Sequence, residues 1–256
     1  MRKGIDWAEI YATNFVDVPR CWDRYQCGSY CCRTSHDDFA FRFIRRNMVW
    51  LPLMPEEYRY LSSVGKLQDY DKGAIVRYAT EFLPGKVAAV YMMRCKQGGM
   101  CLHCEFRPLI CRVYPYFPVP TPDGCLETMD FSSIYDVARA MKDGHVACPI
   151  RAADDPVVRG CAEKAAKALF GHPHIVFYLR AAKAMMDVMR TEMAEKHSRI
   201  LSLPVREFWA EWEMLFMTQR LFPREILMER FAAEYGAVSA RFGEFETDRV
   251  QEATKP

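Results

Sequence analysis

The spacing of apolar positions divides this chain into two parts with different rhythms. From Cys161 onward the rhythm is helical. Ile175, Tyr178, Leu179, Ala182, Met185, Met186, Met189 and Met193 recur three and four residues apart and make one broad apolar face. Phe208, Trp209, Trp212, Leu215 and Phe216 do the same in a second helix, and Pro223 starts a third, because proline suits a first turn. The seven methionines from Met185 to Met228 read as core on these faces, with an adaptable partner groove as the alternative.

Before Cys161 the pattern is shorter. Residues 1–20 read as an amphipathic arm ending at Pro19, and residues 39–53 are aromatic and branched enough for a strand or two. Pro55-Glu56-Glu57 opens a helix that runs to about Val64, where Gly65 can close it; the glutamates favour its positive end. Residues 71–82 read as a second short helix, stopped by Pro84-Gly85. Residues 87–93 fit a buried strand or a short helix, and periodicity does not separate the two. Pro115, Pro118, Pro120 and Pro122 predict an extended loop, because each lacks a backbone donor and has a fixed φ. Residues 131–142 can be helical, Cys148-Pro149 sits in another loop, and the tail beyond Gly243 is polar and frayed.

The chain has 256 residues, half of them apolar, and a net charge of +2. That length can bury a core without covalent staples, and that charge gives no argument for nucleic acid or a membrane. Basic residues near the N-terminus have no apolar run behind them, which speaks against a secretory signal, and no apolar stretch is long enough to span a bilayer. The expectation is a cytoplasmic protein.

In that compartment the eleven cysteines require an explanation other than disulfides. Nine of them lie between Cys21 and Cys125. One group is Cys27-Gly28-Ser29-Tyr30-Cys31-Cys32-Arg33, with Cys21 six residues earlier. Cysteines three or four apart in a tight loop can point their sulfurs at one centre, and a glycine lets the backbone turn sharply. Adjacent Cys31 and Cys32 suit a multinuclear cluster or two neighbouring sites. The second group is Cys95, Cys101, Cys104 and Cys111, with a two-residue gap between Cys101 and Cys104. Two such groups point to a bound metal. Cysteine-only ligation favours an iron–sulfur cluster over zinc, since only His103 of the six histidines lies within a motif. Cys161 lies outside both groups and reads as an ordinary small buried thiol.

The stretch Cys101-Leu102-His103-Cys104-Glu105-Phe106-Arg107-Pro108-Leu109-Ile110-Cys111-Arg112-Val113-Tyr114-Pro115 resembles the hallmark of the YkgJ-type cysteine-cluster family, described as a zinc- or iron-chelating domain. Cys27 to Arg33 resembles that family's first motif, Leu53-Met54-Pro55-Glu56-Glu57 its linking helix start, and Cys148-Pro149 its closing Cys-Pro. The resemblance spans residues 21–150. It implies Cys27, Cys31, Cys32, Cys95, Cys101, Cys111 and Cys148 as metal ligands. Arg24 stands where the family has its first cysteine, and Cys104 where it commonly has an aromatic residue, so Cys21 and Cys104 are secondary candidates; Cys125 stays open.

Other constellations fall short. His172-Pro173-His174 reads as a capping turn before a helix, and no phosphate loop, Gly-x-Ser-x-Gly or His-Glu-x-x-His motif occurs. Arg33 reads as a surface ion-pairing residue, and Arg107 as a source of a structural hydrogen bond to the second motif. The expected fold is mostly α: an arm (1–20), a loop-rich, metal-nucleated cysteine module of small α+β character (21–160), a helical region packed on it (161–250) and a tail (251–256). The expected function is metal binding with a redox or structural role, together with a protein partner and without nucleic acid or membrane. The alternative is a metalloenzyme, either resembling the flagellin lysine N-methylases or a multinuclear iron enzyme acting on a peptide or small molecule.

Overall fold

A computed structural model describes residues 5–13, 15–16, 31, 41–44, 50–67, 70–95, 107–144 and 148–248. The described chain is mostly helical, with two small antiparallel sheets. Helix α1 (Trp7–Ala12) begins at Asp6, whose carboxylate accepts the Glu9 N–H. Strand β1 (Trp50–Leu53) leads directly into α2 (Pro55–Ser63), which starts on proline as expected and has its first two glutamates in the first turn. Strands β2 (Tyr70–Leu83) and β3 (Lys86–Cys95) form a hairpin, and β1 joins it in the order β1-β3-β2.

The expected helix over residues 71–82 is therefore a strand. Ile75, Val76, Tyr78 and Thr80 are branched or aromatic, and each pairs across to β3, opposite Met93, Met92, Val90 and Ala88. Pro84-Gly85 does not stop a helix. It is the two-residue hairpin turn between the paired residues Leu83 and Lys86, with Gly85 at φ +73°.

Past the second cysteine motif come α3 (Leu109–Val113), β4 (Tyr116–Pro120) and β5 (Leu126–Phe131). The prolines of the expected extended loop lie partly inside β4, which is buried along its whole length and, among the described residues, pairs only with β5. A two-stranded ribbon leaves one edge of β4 unpaired, where a missing N–H removes no ladder bond. Helix α4 (Ile134–Asp143) is capped by the Ser133 hydroxyl and closed by Gly144 in the left-handed region. Of Cys148-Pro149, expected in a loop, Cys148 precedes α5 (Pro149–Ala153) as its cap and Pro149 is the first helical residue. Helix α6 (Pro156–Ala166) follows, then the three long helices α7 (Pro173–Glu195), α8 (Val205–Met217) and α9 (Arg224–Phe242).

One continuous core joins the two halves. Met186, Met189 and Met193 of α7 are buried in it, so these methionines are core, whereas Met214 and Met217 of α8 are exposed. Phe82 of β2 packs on Phe177 of α7 and on Phe231 and Tyr235 of α9. The tail beyond Gly243 is docked up to Asp248. Phe245 is buried against Phe177 and Tyr235, and Asp248 bridges to Val87 and pairs with Arg77 at 2.9 Å. Cys161 is exposed on α6, which overturns the expectation of a buried thiol: the helix buries Ala162 and Ala166 on its other side.

The β4–β5 turn brings Gly124 against the residue that ends the α6 region. Its φ is +83°, and a Cβ there would lie 2.6 Å from the Phe170 carbonyl oxygen. Gly124→Ala should therefore cost about 2–4 kcal/mol in a denaturant titration. Gly144→Ala, with positive φ but open space around it, should cost about 1 kcal/mol. Equal costs would remove the close approach as the cause.

Candidate functional site

Three of the described members of the cysteine set sit in or beside regular elements. Cys95 is the last residue of β3, half-buried and paired opposite Tyr70. Cys111 lies in the middle of α3, half-buried. Cys148 is buried and immediately precedes α5. Cys31 is exposed. Cys21, Cys27, Cys32, Cys101, Cys104 and Arg33 lie outside the described residues.

The elements that carry Cys95, Cys111 and Cys148 are neighbours. Helix α3 packs against β1 and β4, and β1 pairs with the end of β3 that carries Cys95, Trp50 standing opposite Arg94. Cys148 lies close enough to Tyr116, at the start of β4, for its charge to raise the Tyr116 pKa, after burial and Asp154. Cys125 is exposed in the β4–β5 turn, where its N–H donates to the Thr121 hydroxyl; Cys161 is on α6. Among the described residues, no three His, Cys, Asp or Glu side chains are arranged to hold a metal ion.

The second motif is held by a buried carboxylate. Glu57, 1% exposed, accepts the Leu109 N–H and the Tyr11 hydroxyl on one oxygen, both at 2.6 Å. It also accepts a bond from the Met54 backbone, the reach-back of a third helical residue to its own cap. Burial pushes the Glu57 pKa up, against the pull of these donors and of nearby Arg112. Arg112 completes the arrangement: its guanidinium donates to the carbonyls of Arg107 and Tyr11, each at 2.9 Å, and stacks over the Tyr11 ring. Sequence reading saw Glu57 only as a first-turn glutamate. Its partners lie 46 and 52 residues away, and no local signal pointed to them.

Compared with family models, curated proteins and solved structures, the chain matches none of them.

A second buried carboxylate, Glu213 of α8, accepts the N–H groups of Arg42, Phe43 and Ile44 at 2.5, 2.8 and 2.5 Å. This segment follows the first cysteine group in the sequence. Phe41 beside it packs on Tyr135, Trp209 and Trp212.

Two other places do not assemble a site. His172 occupies the cap position of α7 without a side-chain capping bond, and His174 Nδ1 meets Glu56 at 2.8 Å. The groove between α7, α9 and β4–β5 is lined by charges that largely satisfy one another: Arg180 pairs with Glu234 and Glu127, Lys183 with Asp187, and Glu192 with Lys196. Among the described residues, no helix is long and apolar enough to cross a membrane.

Proposed function

We propose that this chain is a metal-binding cysteine-cluster protein, holding an iron–sulfur cluster in preference to zinc. The proposed ligands are Cys27, Cys31, Cys32, Cys95, Cys101, Cys111 and Cys148, as the YkgJ-type resemblance implies. The observation that supports this reading is the placement of Cys95 at the end of β3, Cys111 within α3 and Cys148 at the cap of α5, on neighbouring elements. Cys95 leads straight into the segment with Cys101 and Cys104, so that segment starts from an anchored point. A thiolate on a rigid element loses less freedom on ligation than one on a free loop. Bound there, an iron–sulfur cluster supplies one-electron transfer, whereas zinc supplies a structural tie. The role of this chain's own residues is to present and shield the sulfurs. We assign the protein a redox or structural part beside a protein partner.

The test is purification without oxygen, followed by metal and sulfide analysis and an absorption spectrum. The wild-type chain should carry metal, and its thiols should resist titration until acid or a chelator is added. Cys31→Ala and Cys111→Ala should each lose most of the metal, whereas Cys161→Ala should retain it. A folded, metal-free protein with freely titrating thiols sinks the proposal.

A further inference from the structure

Helix α1 is short, yet it is held tightly. Trp7, Ile10, Tyr11 and the following Phe15 are all buried in the common core. Through Tyr11 it makes two contacts with the second motif and a third that reaches it by way of Glu57. The Tyr11 hydroxyl shares one Glu57 oxygen with the Leu109 N–H, two residues before Cys111. Its carbonyl accepts from Arg112, the residue after Cys111, and its ring lies 4.5 Å beneath the same guanidinium. Cys111 thus stands between Arg112, which touches α1 directly, and Leu109, which shares the Glu57 oxygen with it.

We infer that α1 is a latch, through Tyr11, on the arm that presents Cys111, and that its release opens this cysteine to exchange and to reagents. Glu57 is the positioning residue between the two. When α1 leaves, Glu57 loses one donor and Arg112 loses the Tyr11 carbonyl and the ring beneath it, while keeping its bond to the Arg107 carbonyl. The side chain that follows Cys111 then loses two of the contacts that fix it, and the Glu57 carboxylate that holds the Leu109 N–H loses a partner. For its purpose the latch rests on the proposed metal site, because control of Cys111 would control how readily metal leaves. Its geometry does not depend on that reading.

The experiment measures iodoacetamide labelling of Cys111 in the metal-stripped full chain, by peptide mass spectrometry. Cys161, exposed on α6 and away from this network, serves as the internal reference. Tyr11→Phe keeps the ring but removes the hydroxyl, and Ile10→Ala loosens α1 without touching the hydrogen bonds. Both should raise the Cys111 rate relative to Cys161 by roughly fivefold to thirtyfold. Glu57→Gln, which keeps an acceptor oxygen for Tyr11 and Leu109, should raise it less than Glu57→Leu. An unchanged ratio, or Cys161 accelerating equally, overturns the latch. In parallel, the wild-type chain is offered ferrous iron with sulfide, or zinc. Failure to take up either overturns the proposed function, while the labelling ratio still decides the latch.

Discussion

Glu213→Ala should destabilise the protein by about 3–5 kcal/mol, measured by denaturant titration. The side chain is fully buried, and its carboxylate takes three consecutive backbone N–H groups, from Arg42, Phe43 and Ile44. Alanine would leave three donors without an acceptor. It would also free the segment that sets Phe41 against Tyr135, Trp209 and Trp212. Burial first, and the Glu213 charge second, push the Tyr135 hydroxyl pKa up to about 12, so that phenol stays neutral beside it. Glu213→Gln separates charge from hydrogen bonding. Phe43 and Ile44 share one oxygen, which the amide keeps, whereas the amide nitrogen would face the Arg42 N–H. The expected cost is about 1–2 kcal/mol. A Glu213→Ala variant within about 1 kcal/mol of wild type would show that these N–H groups find water instead.

Trp212→Ala should cost a similar amount, about 3–5 kcal/mol, for a different reason. Trp212 is fully buried and meets Phe41, Tyr135, Trp209 and Phe216 at ring-centroid distances from 5.3 to 6.3 Å. Its indole nitrogen is buried with no hydrogen-bond partner among the described residues. The loss is therefore one of volume and packing. Trp212→Phe should recover much of it, because phenylalanine refills most of the space and removes an unsatisfied polar atom. If phenylalanine proves as damaging as alanine, the nitrogen has a partner and the cavity account fails.

The two glutamates mark where the sequence became silent. A glutamate in the first turn of α2 or on the face of α8 looks like an ordinary charged helix residue, and helical periodicity assigns it no partner. Only the approach of Leu109 and Tyr11 to Glu57, and of residues 42–44 to Glu213, turned them into buried anchors. The cysteine motifs were legible because their spacing is local. Whether their sulfurs converge is a long-range property.

By itself the sequence determined some of the helices. The start of α2 at Pro55 and the apolar faces of α7 and α8 follow from spacing and end residues within a few turns. The tertiary structure decided what depends on a distant partner. Residues 70–83 became strand because β3 lay alongside to complete their hydrogen bonds, despite a pattern that also reads as helix. The prolines of β4 were accepted because the ribbon has only two strands. The tail was fixed because Phe245 found Phe177 and Tyr235, and Asp248 found Arg77. Cys161 faced solvent because the packing of α6 chose its alanine side for the core. Helix hydrogen bonds close within four residues of one element, so local sequence can specify them, whereas strand pairing, burial and docking are closed by a partner outside the element, which for the tail lies far away in the sequence.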